Sequence, residues 1–257
     1  MIIAALNALD YTGLTMTAAV AIAFVAQPQI IRLRLLLKQR NGSITRWQDR
    51  VQLRFKRCGT HAYMFAWWKI RLDPMFHDLP VFMKDQPEPR VAFDLGCGTG
   101  IAGNTLLEWY PQLTIYGVDP DRRRVPVANK SFADRGKAFV AGAPDFEVPG
   151  LPQQFDAVFC LDMVHFLDKD QLQTTLNRLH ARLEPGGHLY LRAIVPPHGR
   201  GSLIWKYTVL NRRLLFGTVH HRSIEEMHAM LAAAGFELLT SQAARGNLEL
   251  HWFIARA

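Results

Sequence analysis

The chain has 257 residues, 49% of them hydrophobic, and its 30 Lys and Arg exceed its 22 Asp and Glu for a formal net charge of +8. That length suits one sizeable domain with an appendage. Cys58, Cys97 and Cys160 are the only cysteines; their odd number and irregular spacing exclude a disulfide framework and any C-x-x-C metal site. No metal cluster, internal repeat or low-complexity tract stands out elsewhere.

In chain order, residues 1–26 hold only Asn7 and Asp10 as strongly polar side chains, and 13–26 carry no charge. A bilayer-spanning helix needs about twenty apolar residues. This run reaches that only by extending back past Asp10 or forward through Gln27-Pro28-Gln29 to Ile31. Arg32, Arg34, Lys38 and Arg40 open a basic flank that continues to Arg57. Such a flank sits on the cytoplasmic side of a membrane and attracts anionic headgroups. Ala21-Ile-Ala23 mimics a signal-peptide cleavage site, but no basic residue precedes the apolar run. Residues 1–40 are therefore expected to form an apolar N-terminal helix that spans the membrane, lies in its interface or docks on the domain. The expected location is the inner (cytoplasmic) membrane, with the rest of the chain facing the cytoplasm.

Residues 41–82 are basic and aromatic and read as a helical cap, with Ser43 or Thr45 as its capping residue. Trp47 and Phe55 read as packing residues. Tyr63 and Trp67, closer to the following core, are candidates for lining an acceptor pocket, with helix packing as the alternative.

The most specific signal is Val91-Ala-Phe-Asp-Leu-Gly-Cys-Gly-Thr-Gly100, followed by Tyr116-Gly-Val-Asp119. It predicts a buried strand, a glycine turn, a helix and a second strand ending on an acid. Ligands of open α/β sheets bind beyond the carboxyl ends of such strands. Gly96, Gly98 and Gly100 let a ligand approach the main chain, and Asp119 is spaced to accept hydrogen bonds from ribose hydroxyls. A dinucleotide fingerprint G-x-G-x-x-G would need glycine at position 101, where the chain has Ile101.

The G-x-G-x-G form with Asp94 two residues ahead resembles motif I of class I S-adenosylmethionine (SAM)-dependent methyltransferases. Phe139 to Phe146, Phe155 to Leu167, and Leu183-Glu-Pro-Gly-Gly187 are similar to the family's later strands and turns. Gly235 to Thr240 and Glu249 to Ala255 match its closing pair. The resemblance covers roughly residues 75–257. It implies a Rossmann-like, doubly wound α/β sheet over 83–257, mostly parallel with an antiparallel C-terminal hairpin. It also implies SAM as cofactor, held by Asp94, the Gly96-Cys97-Gly98 and Gly100 backbone, Asp119 and Pro120, with Asp145 and Phe146 reading the adenine. Asp162 would orient the fourth-strand loop beside the cofactor, and His165 is the candidate base. Leu72-Asp-Pro-Met-Phe76 is similar to small bacterial methyltransferases of aryl-polyene and related lipid-like pathways.

The chain departs from the minimal family pattern in an insertion at 197–222. Its apolar residues recur at helical spacing, and Trp205, Tyr207 and Arg212 are candidates for a lid over the substrate. The leading expectation is methyl transfer to a small amphipathic or carrier-bound acceptor at the membrane. A nicotinamide oxidoreductase and a non-catalytic, membrane-tethered scaffold are the alternatives. Nucleic acid is disfavoured, because Cys160-Leu-Asp-Met163 is not the Asp/Asn-Pro-Pro-aromatic loop of base-amino methylation and Cys160 lacks a preceding proline.

Overall fold

In the computed structural model, residues 27–196 and 218–257 are described. Among the described residues, the strands are β1 (Val91–Leu95), β2 (Thr114–Asp119), β3 (Gly136–Val140), β4 (Phe155–Leu161), β5 (Leu183–Ile194), β6 (Glu237–Ala244) and β7 (Asn247–Arg256). They form one sheet in the order β3-β2-β1-β4-β5-β7-β6. β7 runs antiparallel to both of its neighbours, while the pairs joining β1 to β5 are parallel. The mostly parallel sheet with its C-terminal hairpin is as the sequence predicted.

Parallel strands are buried on both faces and so read as continuous apolar runs. Here successive residues feed two cores. Ala92, Phe159, Tyr190 and Ile254 point into one, and Phe93, Val158, Leu189 and Phe253 into the other. The first core is closed by helices α5 (Ile101–Trp109) and α6 (Val125–Phe132). The second is closed by α7 (Lys169–Arg182) and α8 (Ile224–Ala233). Both α7 and α8 begin with a complete capping box, Asp168 with Gln171 and Ser223 with Glu226, which satisfies first-turn amides.

Ahead of the sheet lie a helix through residues 27–40, α1, then α2 (Trp47–Arg54), α3 (Thr60–Leu72) and α4 (Met75–Met83). The predicted 41–82 cap is therefore three short helices, and their apolar residues belong to the first core rather than to a core of their own. Phe55 is fully buried, and Trp47 packs edge-on to Trp109 at 5.3 Å. Neither Ser43 nor Thr45 caps α2. Arg46 occupies the cap position without a side-chain bond, and Arg50 Nη1 instead donates to the Thr45 carbonyl at 2.8 Å. α1 docks through buried Leu35 and an Arg32 bond to the Lys56 carbonyl. The apolar run 1–26 lies outside the described residues, among which no helix is long and apolar enough to cross a membrane.

α4 is fastened to the sheet by Asp78, whose Oδ2 accepts from the Trp252 indole and from the Arg245 backbone amide, both at 3.1 Å. Trp252 is fully buried, so its N–H has no access to water as a substitute. Asp78→Ala is expected to cost about 1–3 kcal/mol, the penalty of a buried donor left without a partner, while Asp78→Asn, which keeps an acceptor, should lose less. Urea denaturation of the three proteins checks this.

Candidate active site

β1 and β2 end in register, Leu95 beside Val118, so the turn after β1 and the acid ending β2 meet at one cleft. The amides of Gly96 and Cys97 both donate to the Val118 carbonyl at 2.9 Å. Gly98 N donates to Asp119 Oδ2, and Asp121 N to Asp119 Oδ1, each at 2.9 Å. Two backbone amides thus fix the orientation of the Asp119 carboxylate. Gly100 is left-handed at φ 82°, and a Cβ there would stand 2.8 Å from the Phe132 ring. Glycine is required both by the angle and by the packing of α6 on the turn. Gly117 is equally constrained, since a Cβ on it would lie 2.7 Å from Cys97 Cβ.

This turn forms one wall of a cavity of about 790 Å³. Asp94, Gly96, Cys97, Gly98, Asp119 and Pro120 all line it. Gly142 and Ala143 form the margin beyond β3. Phe65, Lys69, Met75, Asp162, Met163 and Phe166 contribute to the opposite wall, and Asp121, Arg123 and Arg124 also line the cavity.

Asp94 is the electrostatic anomaly. Its side chain is buried, and Oδ2 has no hydrogen-bond partner. Burial, reinforced by the neighbouring Asp119 charge, pushes the carboxyl up to about 7. Burial likewise raises the thiols of Cys97 and Cys160, so neither is an activated nucleophile. Among the described residues, no group of three His, Cys, Asp or Glu side chains is placed to hold a metal ion.

The opposite wall is organised by Arg192, 1% exposed near the C-terminal end of β5. Its Nε donates to Asp162 Oδ1 at 2.8 Å, and its Nη1 to Asp73 Oδ1 at 2.6 Å. Lys69 adds contacts of 2.5 Å to Asp73 and 3.5 Å to Asp162. Burial alone would raise both carboxyls; Arg192 and Lys69 outweigh it and hold them below the usual range. Asp162 stands in the left-handed region at φ 60°, held by Arg192 and Lys69. The network also joins the α3–α4 turn to the sheet.

Several expected residues stand elsewhere. Asp145 lies outside the cavity, 83% exposed and paired with Arg178 at 2.6 Å, and Phe146 is buried against Phe93. Gly142 and Ala143 take the margin expected of them, because the chain turns away from the cleft soon after β3. Tyr63 is buried among core residues, which pushes its hydroxyl up to about 12. Trp67 packs against Trp68 and under Arg71. The cavity-facing residues of α3 are Phe65 and Lys69, about 200° around the helix from Tyr63 and Trp67. His165 is buried, its ring against Phe166 at 4.1 Å, and Phe166 rather than His165 lines the cavity. Gly100 lies just behind the lining. Trp205, Tyr207 and Arg212 lie outside the described residues. Sequence reading missed Lys69, Asp73 and Arg192. The available signal was Arg192 itself, a lone charge within the apolar run Leu189 to Val195, where a charge must be paired.

Residues 93–189 match the family described as a methyltransferase domain. That segment therefore carries a methyltransferase domain, similar to those of S-adenosylmethionine-dependent methyltransferases. Among curated relatives, it is 30% identical over 112 residues to a malonyl-[acyl-carrier protein] O-methyltransferase of Halalkalibacterium halodurans. That alignment takes in 42% of this chain and 41% of the relative's length, so the chain spans about two fifths of that protein. Among solved structures, a putative O-methyltransferase from Nostoc punctiforme superposes with a TM-score of 0.61 at 16% identity, covering 91% of this chain and 70% of the other. Human N-acetylserotonin methyltransferase, solved in complex with SAM, gives 0.58 at 19% identity, covering 82% and 56%. These likenesses establish the fold.

The residues present fit SAM. The buried, unpartnered Asp94 oxygen is matched to a cation, and the fixed Asp119 carboxylate offers acceptor lone pairs. A Cβ on Gly98 would meet nothing within 4 Å, which leaves its backbone open to the cavity.

The raised Asp94 carboxyl has a consequence for stability. The unfolded chain releases this proton near the ordinary carboxylate pKa, whereas the folded chain keeps it until about 7. Stability contributed at acidic pH is therefore lost as pH rises towards 7. In thermal melts between pH 5 and pH 7.5, wild type should lose stability relative to Asp94→Asn as pH rises. A constant difference between the two would remove the raised Asp94 carboxyl.

Proposed function

We propose that the protein transfers a methyl group from SAM to an amphipathic or carrier-bound small acceptor at the cytoplasmic face of the membrane. The observation that carries the cofactor reading is the Asp94 and Asp119 pair beside an open glycine backbone. Asp94 would take the ammonium of the amino-acid end and Asp119 the ribose hydroxyls. Bound SAM supplies a methyl group on a sulfonium, already a strong electrophile, so the protein's task is mainly orientation. Phe65, Met75, Met163 and Phe166 offer the acceptor an apolar wall, and Arg192 holds Asp162 and the α3–α4 turn in place around it. Asp162 is committed to Arg192 and Lys69 and serves as a positioning residue. His165 reaches the cavity through Phe166, which it buttresses, and acts in this reading on the acceptor's orientation.

The carrier-bound alternative draws support from the curated relative whose name specifies an acyl-carrier-protein substrate. The membrane reading is supported by α1. Ile30, Leu33 and Leu37 are exposed and cluster on one side of the helix, with Arg34, Lys38 and Arg40 beside them, a pattern suited to an anionic bilayer surface. The apolar sequence of 1–26 leads directly into it.

Asp119→Ala should weaken SAM binding by about 1.5–3 kcal/mol, the range for a hydrogen bond to a charged group, as read by calorimetry on a variant with a native circular dichroism spectrum. Unchanged affinity would remove the ribose assignment. For the membrane reading, a chain starting at residue 27 should co-sediment with vesicles containing phosphatidylglycerol, less so at high salt. Leu33→Glu with Leu37→Glu should abolish that binding. Equal sedimentation of the two proteins would refute a role for α1.

A further inference from the structure

A second depression, of about 380 Å³, adjoins the cavity and shares Phe65 and Lys69 with it. Its remaining lining is Trp68, Leu72, Asp73, Pro74 and Leu250. Phe65, Trp68 and Leu72 recur at three- and four-residue steps on α3 and so share one helical face. They are 48%, 45% and 68% exposed, respectively. Large apolar side chains clustered at the surface mark a binding face more often than chance exposure. Asp73 is turned inward to Arg192, so its charge is neutralised. Lys69 stands at the neck between the two depressions, with Asp73 and Asp162 engaging its ammonium and a third N–H donor left to offer.

We propose that this groove is the subsite for the apolar chain of the acceptor, and that the acceptor is a single-chain amphiphile with an anionic oxygen head. The chain lies along Phe65, Trp68, Leu72 and Leu250, and the head passes Lys69 to enter the cavity. Continuity supports this occupant, because the groove opens into the cavity across Phe65 and Lys69. Hydrogen-bonding capacity supports it as well: among the described residues, Lys69 is the cation that lines both depressions, and its third N–H is available to an oxygen of the head. The inference rests on the reading of the cavity as the place of methyl transfer, but its test does not require turnover.

The test uses the full chain and cis-parinarate, a fluorescent polyene fatty acid. Parinarate should bind saturably and be displaced by laurate. Trp68→Asp combined with Leu72→Asp should weaken it by roughly tenfold or more, about 1.4 kcal/mol, with SAM affinity by calorimetry unchanged. Lys69→Gln should weaken laurate more than dodecanol. Absent or non-saturable parinarate binding, or binding indifferent to the Trp68 and Leu72 substitutions, would overturn the proposal. So would a double variant that loses affinity for phosphatidylcholine–phosphatidylglycerol vesicles yet binds monomeric parinarate as wild type does, which would assign the face to the bilayer surface. Failure of wild type to bind SAM would instead strike the functional reading and leave the groove result to be judged alone.

Discussion

The guanidinium of Arg192 is the interaction on which the arrangement of the cavity depends. It sits almost fully buried on the interior strand β5, where an unpaired cation would be prohibitively costly. It is therefore bound to find anions, and it finds Asp162 at the end of β4 and Asp73 in the turn between α3 and α4. The first contact accompanies the unusual backbone angle of Asp162; the second draws the N-terminal helices over the sheet. Trp252, 5.5 Å from the guanidinium carbon, gives it an aromatic face, and the same tryptophan is fastened through Asp78 to α4. One buried charge thus couples the helices before the sheet, the fourth-strand loop and the antiparallel hairpin.

The two walls of the cavity treat charge in opposite ways. Around Arg192, two acids meet two bases in direct contact, and the formal charges cancel. Around Asp94 and Asp119 the acids face each other with fewer compensating groups, and Asp94 responds by holding its proton more tightly. Asp119 is met by two amides and by Arg124 at 4.0 Å, whereas Asp94 keeps an oxygen without a partner, which prepares the site for a cationic ligand. The neutralised wall beside it can accept the apolar chain of an acceptor without a large desolvation cost, with a Lys69 N–H left for the head. That division of labour suits a transfer between a charged donor and a greasier acceptor.

What the sequence made legible was local. Asp94, the glycine turn and Asp119 belong to a single strand–turn–helix–strand unit, and their spacing alone determines which of them can meet. The strand assignments were readable for the same reason, since each buried parallel strand is a short apolar run. Long-range choices were not readable. Asp73 and Arg192 are 119 residues apart, and neither position carries a local pattern that names the other. The phase of α3 was ambiguous, because aromatic residues occur on opposite sides of it and only the packed sheet decides that Phe65 and Lys69 turn towards the cavity. Asp145 and Phe146 missed the cleft because a segment without regular structure separates them from β3, and such a segment can turn either way.

Gly117 and Cys97 show how tightly the turn is built. The missing side chain of one residue is the space occupied by the other, since a Cβ at 117 would meet Cys97 Cβ at 2.7 Å and its sulfur at 2.8 Å. Shortening Cys97 to alanine would not relieve the contact, because the clashing Cβ remains. Alanine at position 117 becomes sterically accessible only in a background where position 97 is itself glycine, and a glycine there frees a backbone that the cavity requires to be fixed. Position 117 therefore depends on position 97 and not the reverse, so in an alignment of descendants a side chain at 117 is expected only beside glycine at 97.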